Sequence, residues 1–139
     1  MLKMNKKLEY GVIALIHLAS KETGVASVRE ISGAYGVPET LLSKVMQCLK
    51  AQGMVLSLHG HHGGYRLNRP LSQINLLELT QALVGPVVVV ECLTPGNVHC
   101  PAQTNCTIVT PMGKLNQRII SLFQQTSIDS LVSEKKVAL

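Results

Sequence analysis

Three cysteines stand close together late in the chain, as Cys92-x7-Cys100-x5-Cys106, all within fifteen residues. Thiolates are soft ligands, and three of them at this density can wrap one soft metal centre. Zinc is usually gripped by CxxC pairs from tight turns, and neither gap here is that short. Wider gaps suit an iron–sulfur cluster, whose corners lie farther apart than two ligands on one zinc ion. Spacing alone leaves zinc binding and metal-free thiol redox chemistry open beside it. The stretch ECLTPGNVHCPAQTNC is too irregular and too rich in Pro, Gly and Asn for regular structure, so a loop must present the thiols. Cys48 stands apart inside a helical pattern and reads as a small core residue.

A second concentration is HGHH, which places His59, His61 and His62 within four residues. Such tracts can bind metal, but on a hairpin tip beside a DNA-reading helix they serve better as phosphate or groove contacts. Histidine there would contact DNA weakly at neutral pH, because its free pKa lies near ~6.5. His17, inside an apolar helix, reads as a core-edge histidine rather than a ligand. The chain has no Ser/His/Asp arrangement, no P-loop and no GxGxxG, so it reads as no enzyme.

The elements that must position these residues are legible in turn. Residues 5–20 form a helix, with Leu8, Val12, Leu15 and Ala19 at near-helical spacing and Gly24 as the stop beyond it. Ser27 followed by Glu30 is a capping-box pattern opening a short helix, VREIS, that is expected to stop near Gly33. Residues 34–37 then turn, and Pro38 suits the first turn of a third helix carrying Leu41, Leu42, Val45, Met46 and Leu49 inward. A short helix, a Gly-containing turn and an amphipathic helix make a helix-turn-helix. MVLSL, a Gly-rich hairpin and YRL add two strands, the wing of a winged helix.

Off the buried face of the third helix stand Glu39, Thr40, Ser43, Lys44 and Gln47. Gln47 can read adenine bidentately, and Lys44 can take guanine or phosphate. Thr40 and Ser43 can hydrogen-bond phosphate or base, with Arg29 and Lys50 as backbone clamps. His59, His61 and Tyr65 are the candidate contacts from the wing.

Beyond the wing, residues 72–84 give a helix capped by Asn75 and Glu78 and stopped at Gly85-Pro86. Val87 to Val90 is a short apolar run that suits either a buried strand or a packed loop. Thr110-Pro111 can start a last long helix, in which Ile108, Met112, Leu115, Ile119 and Leu122 recur at intervals of 4, 3, 4 and 3. That is a short a/d seam, suited to pairing with a second copy.

Composition agrees. Of the 13 Lys and Arg, nine lie in residues 1–70 beside four of the 8 acidic residues, so the whole excess of +5 sits in the first half. A basic half joined to a neutral half indicates a nucleic-acid-binding unit attached to something else. At 3% aromatic with no Trp, the chain is not built to stack single-stranded bases. No apolar run approaches the ~18–20 residues of a membrane span, and the basic N-terminus reads as no secretory signal, so the expected location is cytoplasmic.

Taken together, EYGVIALIHLA, VREIS, GVPETLLSKVMQCLKAQGMV, the wing GHHGGYRLNRP, INLLELTQAL, the three-cysteine loop, the seam helix and the tail TSIDSLV are spread along the whole chain. In these motifs the protein resembles the bacterial winged-helix regulators of the IscR/NsrR/SufR-like group (Rrf-two family). The resemblance implies a mainly α fold with a small β wing: a winged helix-turn-helix domain over 1–84, a cysteine-bearing cluster loop over 85–107, and a dimerisation helix and tail over 108–139. It also implies a homodimer that binds double-stranded operator DNA as a repressor, with a [2Fe-2S] or [4Fe-4S] cluster on Cys92, Cys100 and Cys106 controlling affinity. Relatives often have C-x5-C-x5-C, and the first gap here is two residues longer. Where one branch has a ligand His three residues after the last cysteine, Val109 stands. In the nitric-oxide-sensing branch the fourth ligand is an acidic residue on the partner's first helix, and Glu9 holds that position, with His99 and Glu91 as competitors. The wing tip usually presents Arg where this chain has His59. A cluster-free thiol or zinc sensor is the alternative, and a small iron–sulfur carrier without a DNA role a weaker one.

Overall fold

Asn5 ends the N-terminal segment and starts the first helix, its side chain accepting the Lys7 N–H. The computed structural model describes residues 3–97 and 100–133. Helix α1 (Lys6–Ser20) buries Leu8, Ala14, Leu15 and Leu18. Gly11 lies on this same buried face, where a Cβ would stand 2.4 Å from the Leu83 Cδ1 methyl and force that side chain to shift. Helix α2 (Val28–Tyr35) starts at Ser27, whose Oγ accepts the Glu30 N–H at 3.0 Å. It runs past the expected stop at Gly33 and ends at Gly36, which adopts the left-handed conformation of a C-cap. A helical glycine costs only about 1 kcal/mol against Ala, so Gly33 is tolerated and Gly36 terminates the helix. Helix α3 (Glu39–Ala51) follows Pro38 and buries Leu42, Val45, Met46 and Leu49. Cys48 corrects one expectation: it is exposed, off the buried stripe of α3.

The wing is a three-stranded antiparallel sheet in the order β1-β3-β2, with β1 (Val25–Ala26), β2 (Val55–Leu58) and β3 (Gly64–Leu67). The expected pair of strands therefore has a third member, too short to show any alternation in sequence. Ala26 pairs with Tyr65, and Ser57 pairs with Tyr65 from the other side. Two of the three wing glycines, Gly63 and Gly64, are sterically required. A Cβ on Gly64 would stand 2.5 Å from the Ala26 carbonyl oxygen, and Gly64 has φ +148°. A Cβ on Gly63 would stand 2.6 Å from the Leu58 carbonyl oxygen. Gly64→Val is therefore expected to part β3 from β1 and destabilise the fold by at least ~2 kcal/mol, from strained backbone and lost pairing. Urea unfolding measures this, and a midpoint equal to wild type would refute the steric argument.

Helix α4 (Leu76–Leu83) is capped by Asn75, whose Oδ1 accepts the Glu78 N–H at 2.8 Å. Residues 87–90 form no strand, and short 3-10 turns at Glu91–Leu93 and Gln103–Asn105 interrupt the cysteine loop. The long helix α5 (Val109–Gln125) packs on α4. The chain then returns to the winged-helix body through a bridge between Asn75 and Ser127, with Leu76 N–H donating to Thr126 O at 2.8 Å and Ile128 N–H to Ile74 O at 2.9 Å. Helix α6 (Ile128–Ser133) places Ile128 fully inside the core, alongside Leu15, Leu42, Leu49, Ile74 and Leu79. Among the described residues no helix is long and apolar enough to cross a membrane.

Candidate functional site

Because Leu42, Val45, Met46 and Leu49 point inward, the opposite face of α3 is left to solvent with Thr40, Lys44, Gln47, Cys48 and Lys50 on it. Ser43 is half-buried at the edge of that face. Arg29 is exposed in the first turn of α2, and His59, His61 and His62 are exposed at the wing tip. Tyr65 sits differently from the other wing candidates. It is half-buried and packs against the core, which leaves little of it for a DNA contact. Its neighbour Arg66 is exposed. Strand alternation places Arg66 on the opposite face, an exposed cation beside the wing that the wing motif alone did not single out.

The joint between α1 and α2 is held by polar contacts. His17 Nδ1 lies 3.0 Å from the Tyr35 hydroxyl, with the rings edge to face, and His17 Nε2 lies 3.6 Å from Glu30 Oε1. Lys21 donates to both Glu30 carboxylate oxygens at 2.6 and 2.7 Å. That hydrogen-bonded ammonium holds the Glu30 carboxyl below its ordinary value. Glu30 therefore braces α1 instead of closing the capping box back onto Ser27. A cleft of about 490 Å³ separates this joint from His61, His62 and Gly63 of the wing tip.

The second part of the site lies at the start of α5. Cys92 sits in the first 3-10 turn, and Cys106 follows the second, three residues before Val109 opens α5. Cys92, Cys100 and Cys106 are each partly exposed and line one cavity of about 160 Å³ with Asn97, Gln103 and Val109. The cavity adjoins a groove of about 480 Å³, largely apolar, walled by Val89, Val90, Glu91, Ile108 and Met112 among others. Val109 thus stands on the cavity wall with no donor atom to offer. Among the described residues, no three His, Cys, Asp or Glu side chains converge on a point where one ion could be held. Three soft donors on one cavity wall are the residues that could hold a soft metal centre, an iron–sulfur cluster or zinc.

Glu9 lies on α1, paired with Lys6 at 2.9 Å, and lines neither the cavity nor the groove. Its hydrogen bond raises the Lys6 ammonium above its ordinary value. His99 lies outside the described residues.

Residues 4–134 match the Rrf2 family model, described as an iron-dependent transcriptional regulator. The chain is 30% identical to Protein aau3 of Rhizobium meliloti over 134 residues, covering 96% of this chain and 87% of that one. It is 25% identical to the HTH-type transcriptional regulator NsrR of Oceanobacillus iheyensis, covering 97% and 92%. Among solved structures, CymR (YrzC), the global cysteine regulator of B. subtilis, superposes with a TM-score of 0.75 at 26% identity, covering 98% of this chain and 100% of that one. The winged helix, its exposed reading face and the match along almost its whole length place this chain in the Rrf2 family of transcriptional regulators, which are not enzymes.

Proposed function

We propose that the protein is a cytoplasmic, homodimeric repressor of transcription that binds double-stranded operator DNA with an affinity set by an iron–sulfur cluster. The observation that carries this reading is the common cavity of Cys92, Cys100 and Cys106, built on the first turn of α5. A bound [2Fe-2S] or [4Fe-4S] centre supplies iron that oxygen, nitric oxide or iron limitation can alter. The chain's own residues do the rest. Thr40, Ser43, Lys44 and Gln47 face the bases and phosphates, while Arg29, His59 and His61 hold the backbone. The open side of α5, with Ile108 55%, Leu115 43% and Leu122 61% exposed, supports pairing with a second copy, since an exposed apolar stripe of this kind marks a contact surface.

Three thiolates leave one cluster position to another ligand, and Glu9 of the partner subunit is assigned to it. Anaerobic purification followed by an absorption spectrum with iron and sulfide analysis tests the cofactor directly. Stoichiometric zinc without sulfide would overturn it. Glu9→Ala is expected to retain iron and sulfide but to alter the spectrum, because a hard carboxylate is lost from a soft ligand set. An unchanged spectrum would remove Glu9 from the ligand set and turn attention to His99 and Glu91. The likeness to the cysteine regulator CymR favours a second reading, a cluster-free thiol sensor, and the same spectrum separates the two.

A further inference from the structure

Among the described residues, α5 has one fully buried side chain, and it is polar: Asn116, 7% exposed. An apolar side chain there would stabilise by burial alone, whereas a buried amide must find a partner or be penalised. The partner is the cysteine loop. Asn116 Oδ1 accepts the Val89 N–H at 2.9 Å, across 27 residues of sequence. Val89 stands three residues before Cys92 and walls the groove beside the cysteine cavity. Between them the chain is tight. The Val90 carbonyl accepts the Leu93 N–H at 3.1 Å, and the Glu91 carbonyl accepts the Thr94 N–H at 3.0 Å, closing the turn that carries Cys92.

The two ends of the cysteine loop are thus tied to one helix at different heights. Cys106 is joined to it covalently at Val109, and Cys92 is joined through Asn116, seven residues and roughly 10 Å further along. A change in the separation of Cys92 and Cys106 must therefore pull on α5 between those two points. Helix α5 packs on α4, and α4 packs on α3, the helix that carries Lys44 and Gln47. We propose that Asn116 is a positioning residue that transmits the state of Cys92 to the DNA-reading helix through its bond to the Val89 amide. The proposal rests on the reading of the cysteine cavity as the sensor.

The test uses the full chain and a duplex selected by the wild-type protein from a randomised pool. Wild type, Asn116→Leu and Asn116→Asp are purified anaerobically, and cluster content is measured beside the affinity of holo and apo forms. Wild type is expected to show an affinity ratio of roughly 5–150-fold between the two forms. Asn116→Leu should keep its iron and sulfide but bring the ratio within about twofold, and Asn116→Asp, which retains the acceptor oxygen, should restore it. A cluster-loaded Asn116→Leu protein with the wild-type ratio overturns the proposal. If wild type holds no cluster, the iron–sulfur reading fails, and N-ethylmaleimide on Cys92 in a Cys48→Ala, Cys100→Ala, Cys106→Ala background replaces it. Alkylation must then change affinity with Asn116 present and not in Asn116→Leu; no change with Asn116 present overturns the coupling. If Asn116→Leu does not fold, hydrogen exchange at the Val89 amide of unsubstituted protein decides. Protection that differs between the two states of Cys92 supports the clamp, and equal protection overturns it.

Discussion

Single replacement of Cys92, Cys100 or Cys106 by Ala is expected to abolish the visible absorption of anaerobically purified protein, whereas Cys48→Ala leaves it at wild-type intensity. The three loop thiols share one cavity wall, and Cys48 lies on the exposed face of α3. A cluster bound through three protein thiolates has no spare soft donor among the described residues of that wall, where Asn97, Gln103 and Val109 complete the lining. Losing one thiolate leaves an iron with water or an amide in place of sulfur, a poor exchange for a soft centre. Full absorption in any one of the three variants would show that the cysteine concerned is not a ligand. The Cys48 control matters because that thiol is solvent-accessible and, on α3, closer to the DNA-reading residues than to the sensor.

The second large effect concerns Lys44 and Gln47. Helical spacing puts them about one turn apart on the open, exposed side of α3. Each good bidentate base contact discriminates by about 1–3 kcal/mol, so the double substitution Lys44→Ala, Gln47→Ala should cost ~2–6 kcal/mol of specificity, at least about 30-fold. Affinity for random duplex should fall far less, because Arg29, Lys50 and Arg66 remain to neutralise phosphate. With Lys44 on a base rather than a phosphate, the salt dependence of binding should stay close to that of wild type. Competition between selected and random duplexes reads both quantities. Preserved discrimination would move base reading off α3.

Much of this was legible in the residues because the relevant signals are local. Ser27 and Asn75 cap the helices they were expected to cap, since a side chain reaching an amide two or three residues ahead depends on little else. The glycines of the wing announced a hairpin for the same reason. Where the reading fell short, longer-range packing decided. Cys48 looked apolar and helical, but only its angle relative to Val45 and Leu49 settles its exposure. Gly33 looked like a stop because the true stop, Gly36, lies three residues on. Strand β1 has two residues and exists only because β3 lies beside it. Asn116 gave no signal at all: its meaning depends on an amide 27 residues away. The three cysteines were visible as a group by spacing, but their shared cavity depends on how the loop folds against α5.

The bridge between Asn75 and Ser127 bears on how such a molecule comes into being. It closes a loop of about fifty residues, and loops of that length form late because their ends must first find each other. Translation delivers the N-terminal half first. The emerging winged helix then has a vacancy where Ile128 belongs, and Ile74 and Leu76 each lack a backbone partner. It is completed only when the cysteine loop and α5 have been made and the chain has come back. A newly synthesised molecule therefore has no finished winged helix before its own cysteine loop and α5 exist.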